Sequence, residues 1–184
     1  MEPNRCPWPS DDHLMIEYHD TEWGVPLHDD RKLFEFMVLD AFQAGLSWRT
    51  VLHKRESFRK AFDNFVPEKI AQYSEEKIAS LLNDPGIIRN KAKVRGTIKN
   101  ARAFLEVQKE FGSFDKFIWQ FTGGKTIDNR ITSLSRIPVS STESDAMSRE
   151  LRKRGFTFAG TTICYAFMQA AGMVNDHLTD CFRH

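Results

Sequence analysis

Apolar residues recur along this chain at the spacing of helix faces, and no segment shows a secure strand alternation. From 29 to 44 (DDRKLFEFMVLDAFQA) the stripe is Leu33, Met37, Ala41 and Ala44. Two aspartates stand where a helix N-terminus favours them, and Gly45 supplies the stop. Ser47 is placed to cap a second stretch, SWRTVLHKRESFRKAF, and two short amphipathic pieces follow Pro67 and Ser74. Residues 90–110 predict a long helix with Val94, Ile98, Ala101 and Leu105 on its apolar side. Ser141 or Thr142 caps 143–154, which Gly155 closes. The segment TTICYAFMQAAGMV after Gly160 is apolar almost all round, which predicts a central helix. Only 122–141, rich in Gly, Thr, Ser and Arg, lacks a pattern and reads as a long ordered loop or a small hinge. The expectation is an all-α chain forming one domain over 1–184.

Composition narrows the partners. A chain of 184 residues with 41% apolar and 28% charged residues is long enough for a full core. A net charge of +1 means that any surface for nucleic acid must be local. Three cysteines without local framework spacing favour a reducing, cytoplasmic setting. The N-terminus has no apolar core of a leader, and no apolar run reaches the ~20 residues of a membrane helix.

Two Cys/His pairs lie at opposite ends: Cys6 with His19, and His177 with Cys181. On a helix, the H-x-x-x-C spacing puts both side chains on one face. Together the pairs supply the four ligands of a tetrahedral zinc site that leaves no position for water, hence a structural ion. The alternative is that the termini carry these residues by chance.

The turn NDPGIIRNK (83–91) joins two helices, and between Gly86 and Leu105 there are basic residues but no acidic one: Arg89, Lys91, Lys93, Arg95, Lys99 and Arg102. At about 100° per residue, Lys91, Arg95, Lys99 and Arg102 share one stripe. Free N–H groups at a helix start, backed by cations, seat a phosphate, so this stretch points to DNA; the competing reading is a solvated helix face.

Asp40 projects into the apolar stripe between Phe36 and Met37, where an unpaired charge is costly. Either it meets an internal donor or it faces a cavity that binds something. Trp8, Tyr18, Trp23 and Trp48 lie near it in sequence, and aromatic faces around an acid suit a flat, electron-poor or cationic ring.

The segments YHDTEWGVP (18–26), FQAGLSW (42–48), GIIRNKAK (86–93) and LRKRGFTFAGTTICYAFMQAAGMVNDH (151–177), with the Cys6/His19/His177/Cys181 quartet, resemble the bacterial DNA-3-methyladenine glycosylase I family from about residue 5 to 181. That resemblance implies the helix–hairpin–helix glycosylase fold with 83–105 as the hairpin element, and a zinc clasp made by the quartet. It implies a base pocket of Tyr18, Trp48 and Asp40, with Trp8 and Trp23 nearby and Asp40 as the catalytic residue, accepting from the adenine edge and favouring positive charge. The DNA contacts it implies are Gly86, Ile87, Ile88, Arg89, Lys91 and Lys93. The implied activity is hydrolytic excision of 3-methyladenine from alkylated double-stranded DNA by a monomeric bacterial enzyme. The aspartate that other superfamily members use after the hairpin has no counterpart in this basic and apolar stretch. The family commonly has glutamate where this chain has Asp40, one methylene shorter, which bears on base preference and rate rather than on reaction class. A DNA-damage or abasic-site binding protein without excision is the alternative. A zinc hydrolase is disfavoured by the complete ligand set and the lack of an HExxH pair.

Overall fold

In the computed structural model, which describes residues 3–184, helices account for most of the chain. Met1 and Glu2, with which the expected domain begins, lie outside the described residues. In chain order the helices are α1 (His13–Thr21), α2 (Asp30–Gln43), α3 (Trp48–Leu52), α4 (Arg55–Ala61) and α5 (Pro67–Ile70). They continue with α6 (Glu75–Asn83), α7 (Lys91–Phe111), α8 (Phe114–Trp119), α9 (Thr142–Lys153) and α10 (Thr161–Ala170).

The starts follow from caps. Side-chain oxygens of Asp29, Ser47, Ser74 and Asn90 accept from the N–H groups of Lys32, Thr50, Lys77 and Lys93. Ser141 and Ser144 cap each other reciprocally at the start of α9. The stretch after Ser47 differs from the single helix expected: it breaks at His53 and Lys54 into α3 and α4. The break turns Arg55 inward, where it donates to Glu35 at 2.5 Å and to Glu22 at 2.7 and 2.8 Å. Neither α1 nor α8 was marked by the apolar pattern.

Two features correct the all-α expectation and the patternless reading of 122–141. Strand β1 (Ile127–Asp128) pairs in parallel with β2 (Val174–Asn175), and an isolated bridge joins Ile131 to Leu178. Two-residue strands are too short for periodicity to register. The 122–141 segment is therefore tied to the C-terminal segment, with Thr126 donating to the Gly172 carbonyl at 2.7 Å. Gly172 itself has φ +66°, and a Cβ there would stand 2.2 Å from the Val25 carbonyl carbon. Only glycine lets residues 25–27 cross so close to the end of α10.

Every residue from Leu33 to Phe42 on α2 is buried, and α7, α8 and α10 pack around this helix. α10 buries Cys164, Tyr165, Phe167, Met168 and Ala170, as its apolar sequence predicts. Asp40 thus sits on a helix enclosed on all sides, and any opening to it has to be built deliberately.

Candidate functional site

That opening is a cavity of about 350 Å³, lined by Trp8, Met15, Tyr18, Trp23, Asp40, Gln43, Trp48, Leu134, Ile137, Ala166 and Gln169. Its volume is in the range of small-molecule sites. α1 contributes Tyr18, α2 contributes Asp40 and Gln43, and Trp48 begins α3. The Tyr18 and Trp48 rings lie 5.0 Å apart at 46°, and Trp8 and Trp23 lie 5.1 Å apart at 72°. Trp8 also meets Tyr18 edge-on at 6.3 Å, so the four rings form one continuous wall.

Asp40 is 3% exposed, and its Oδ2 has no hydrogen-bond partner. Among the described residues no arginine neutralises it: the buried Arg55 is committed to Glu22 and Glu35. Burial pushes its carboxyl well above the usual carboxylate range. Burial likewise raises the Tyr18 phenol, with the Asp40 charge adding to it, so Tyr18 stays neutral. Cys164 shares a second, narrow cavity with Asp40, Met37 and Asn100; burial first and Asp40 second push its thiol up to about 12, the state of an inert core thiol. The indole N–H groups of Trp8 and Trp48 are also enclosed without an acceptor. An aromatic slot with one unmet acceptor and two unmet donors is poised to bind a flat polar ring.

The four terminal Cys and His residues do meet. Cys6, His19, His177 and Cys181 are all buried, and their ligand atoms lie within 4.8 Å of one another. Cys6 Sγ stands 3.7 Å from His177 Nδ1; Cys181 Sγ stands 3.6 Å from the same nitrogen and 3.5 Å from His19 Nε2. Tetrahedral zinc with S and N ligands requires ligand separations of roughly 3.3–3.8 Å. The outer ring nitrogens are held: His19 Nδ1 donates to Asp20 at 2.7 Å, and His177 Nε2 donates to the Trp23 carbonyl at 2.9 Å. These contacts fix the tautomers that leave the inner nitrogens free. N–H groups of Leu178 and Arg183 point at the two sulfurs. The cluster can therefore hold a metal ion. The helical reading of His177 to Cys181 is corrected: these residues form turns, with the Cys181 N–H bonded to the Leu178 carbonyl at 2.8 Å. A tight turn brings i and i+4 together as a helix would.

The basic turn is sharply folded. Asp84 Oδ1 accepts from the Gly86 N–H at 2.7 Å, and Lys54 braces the outside through the carbonyls of Pro85 and Gly86. Among the described residues, the N–H groups of Ile88 and Arg89 find no acceptor, and Arg89 and Lys91 are exposed. Ile87 is buried beneath the turn as an anchor. Lys93 is a correction: it is buried, and its ammonium donates to the carbonyls of Phe42 at 2.8 Å and Ala44 at 2.6 Å, so it caps α2 and has no reach to a phosphate. Arg95 pairs with Glu75, and Arg102 donates to the Ala71 carbonyl, so part of the basic stripe is structural. Sequence reasoning missed Met15, Gln43, Leu134, Ile137, Ala166 and Gln169 as lining residues.

The family model for methyladenine glycosylase matches residues 8–184. The chain is 51% identical to DNA-3-methyladenine glycosylase 1 of Escherichia coli K12 over 177 residues, 96% of this chain and 95% of that one. A crystal structure of 3-methyladenine DNA glycosylase I superposes with a TM-score of 0.96 at 52% identity, covering 98% of this chain and 100% of the other. A tyrosine-to-phenylalanine variant of 3-methyladenine DNA glycosylase I, in complex with 3-methyladenine, matches with a TM-score of 0.94 at 34% identity, covering 97% and 96%.

Proposed function

This chain belongs to the methyladenine glycosylase family, and on that premise we propose that it is the base-excision repair enzyme that hydrolyses the N-glycosidic bond of 3-methyladenine in alkylated DNA. The observation that carries the reading is the unpaired Asp40 carboxyl at the floor of an aromatic cavity. An N3-methylated adenine is cationic and already a good leaving group, so the enzyme needs neither a strong acid nor a nucleophile. It needs the nucleotide out of the stack, a pocket that prefers the damaged base, and water. Tyr18 and Trp48 flank the base, Trp8 and Trp23 complete the wall, and Asp40 accepts from the exocyclic amine. A cationic base favours the ionised carboxylate that burial disfavours, so base and acid stabilise each other's charge.

The DNA contact is the 83–105 helix–hairpin–helix element, with the backbone N–H groups of Ile88 and Arg89 turned to a phosphate, Gly86 and Ile87 shaping the turn through their bonds to Asp84, and Arg89 and Lys91 beside it. This is supported by the free N–H groups and the two exposed cations, and DNA enters as a duplex because the base has to be flipped from a stack. The ion in the Cys6, His19, His177 and Cys181 cluster is zinc, held structurally, which the donor set and spacing favour. The enzyme works as a monomeric single domain in the bacterial cytoplasm. Among the described residues no helix is long and apolar enough to cross a membrane.

Release of free base from methylated DNA, followed by chromatography, tests the activity. Asp40→Asn is expected to slow excision about 10- to 100-fold, the worth of a hydrogen bond to a charged group, while leaving affinity for abasic DNA nearly unchanged. Unaltered excision removes Asp40 from the mechanism.

A further inference from the structure

We propose that Gln43 reads the edge of the extruded adenine beside Asp40, and so sets the preference for adenine over guanine lesions; this rests on the excision activity proposed above. Gln43 lies three residues after Asp40 on α2, which places both side chains on one helix face. It lines the aromatic cavity and also a neighbouring cavity of about 190 Å³, bounded by Ala44, Gly45, Leu46, Thr162 and Ile163; Asp40 and Ala166 are shared by both. The amide therefore stands where the two spaces join.

Among the described residues no side chain or backbone group takes up this amide, and Gln43 is half-buried, so the amide is left open to the cavity. Its counterpart across the cavity, Gln169, is committed to Asp176 at 2.8 Å. The backbone around Gln43 is fixed from both sides. Its carbonyl accepts from the Leu46 N–H at 2.6 Å, and Lys93 holds the carbonyls on either side of it, those of Phe42 and Ala44. A free amide on a fixed helix end is a recognition group rather than a packing group.

The chemistry selects the base. A carboxylate offers acceptors only, whereas an amide offers both a donor and an acceptor. Adenine presents an amine donor at N6 beside N1, an acceptor that carries a hydrogen in guanine, so Asp40 takes one N6 hydrogen while Gln43 donates to N1. Guanine presents O6 in place of the amine, and that oxygen would face the Asp40 carboxylate.

The test compares single-turnover excision of 3-methyladenine and 3-methylguanine by wild type, Gln43→Leu and Gln43→Glu, with abasic-DNA affinity and melting temperature measured alongside. Both variants are expected to lower the adenine-to-guanine ratio by tenfold or more, the worth of a paired base contact. Gln43→Glu removes the donor at near-constant shape, so it tests recognition even if the leucine variant packs poorly. An unchanged ratio overturns the proposal. So does a loss of abasic-DNA affinity equal to the loss of excision, which makes Gln43 a contact to the duplex. If wild type releases neither base, the excision reading has failed instead.

Discussion

Asp40 is a carboxyl that the fold could have neutralised and does not. Among the described residues, Glu35, five residues earlier on the same helix, is paired twice, with Arg55 at 2.5 Å and Arg59 at 2.8 Å, whereas Asp40 meets no cation. An unpaired buried acid is a standing cost to stability, retained where a ligand supplies the missing partner. The cost has a pH signature. Burial raises the folded-state pKa above that of the unfolded chain, about 3.9, so the native state holds this proton longer. Well below the unfolded value of about 3.9 the two states carry the proton alike and the group costs little; as pH rises from there toward the folded value, stability falls. Asp40→Asn removes that dependence. Urea melts at a series of pH values are therefore expected to show the variant gaining on wild type from pH 4 to pH 7, and a constant difference would mean that the carboxyl is not desolvated. The sequence carries this residue legibly because a charge inside an apolar stripe contradicts its own periodicity. Gln43 gave no such contradiction. A glutamine at the end of a helix is unremarkable until the cavity beside it is known, and Leu134 and Ile137 reach that cavity from a segment without periodicity.

At the scale of elements, the aromatic cavity and the 83–91 turn are joined through the junction of α2 and α7. Lys93, in the first turn of α7, ties off the C-terminal carbonyls of α2, the helix that carries Asp40 and Gln43. A cation at a helix C-terminus is favourable, and here it also satisfies carbonyls that would otherwise be buried and unpaired. Lys93→Met is accordingly expected to destabilise the protein by about 1–3 kcal/mol in denaturant titrations and to leave the salt dependence of DNA binding unchanged. Lys91→Ala should do the reverse, keeping stability while lowering the slope of log affinity against log salt by about 1. A salt slope that falls with Lys93→Met would return this lysine to the DNA surface. The helix boundaries were legible because caps and glycines act within a few residues. The role of Lys93 was not, since helical projection gives an angle and not the identity of a neighbour 49 to 51 positions away. The same limit hid the pairing of β1 with β2.

Across the whole molecule, the Cys/His cluster joins the two ends of the chain and also stands behind the base pocket. The His177 ring lies 4.7 Å from Trp23 and bonds its carbonyl, and the His19 ring lies 5.3 Å from Trp8, so two walls of the cavity rest on two ligands. Gly24 leaves room for this, since a Cβ there would come within 3.1 Å of the His177 ring. An ion held by this cluster would act on the cavity through position, since four protein donors would leave it no open coordination site. A cross-link between Cys6 and His177, 171 positions apart, restricts the unfolded chain by up to about 5 kcal/mol on the chain-entropy account. Removing the ion by chelation, or a ligand by Cys181→Ser, is therefore expected to lower the melting temperature by roughly 10–20 °C. Because α2, α7 and α10 pack without the cluster, far-UV circular dichroism should hold while tryptophan fluorescence shifts to the red as Trp8 and Trp23 lose their backing. A melting temperature insensitive to chelation, in protein shown to have released its metal, would mean that the quartet is a packing cluster and that the termini need no ion to stay together.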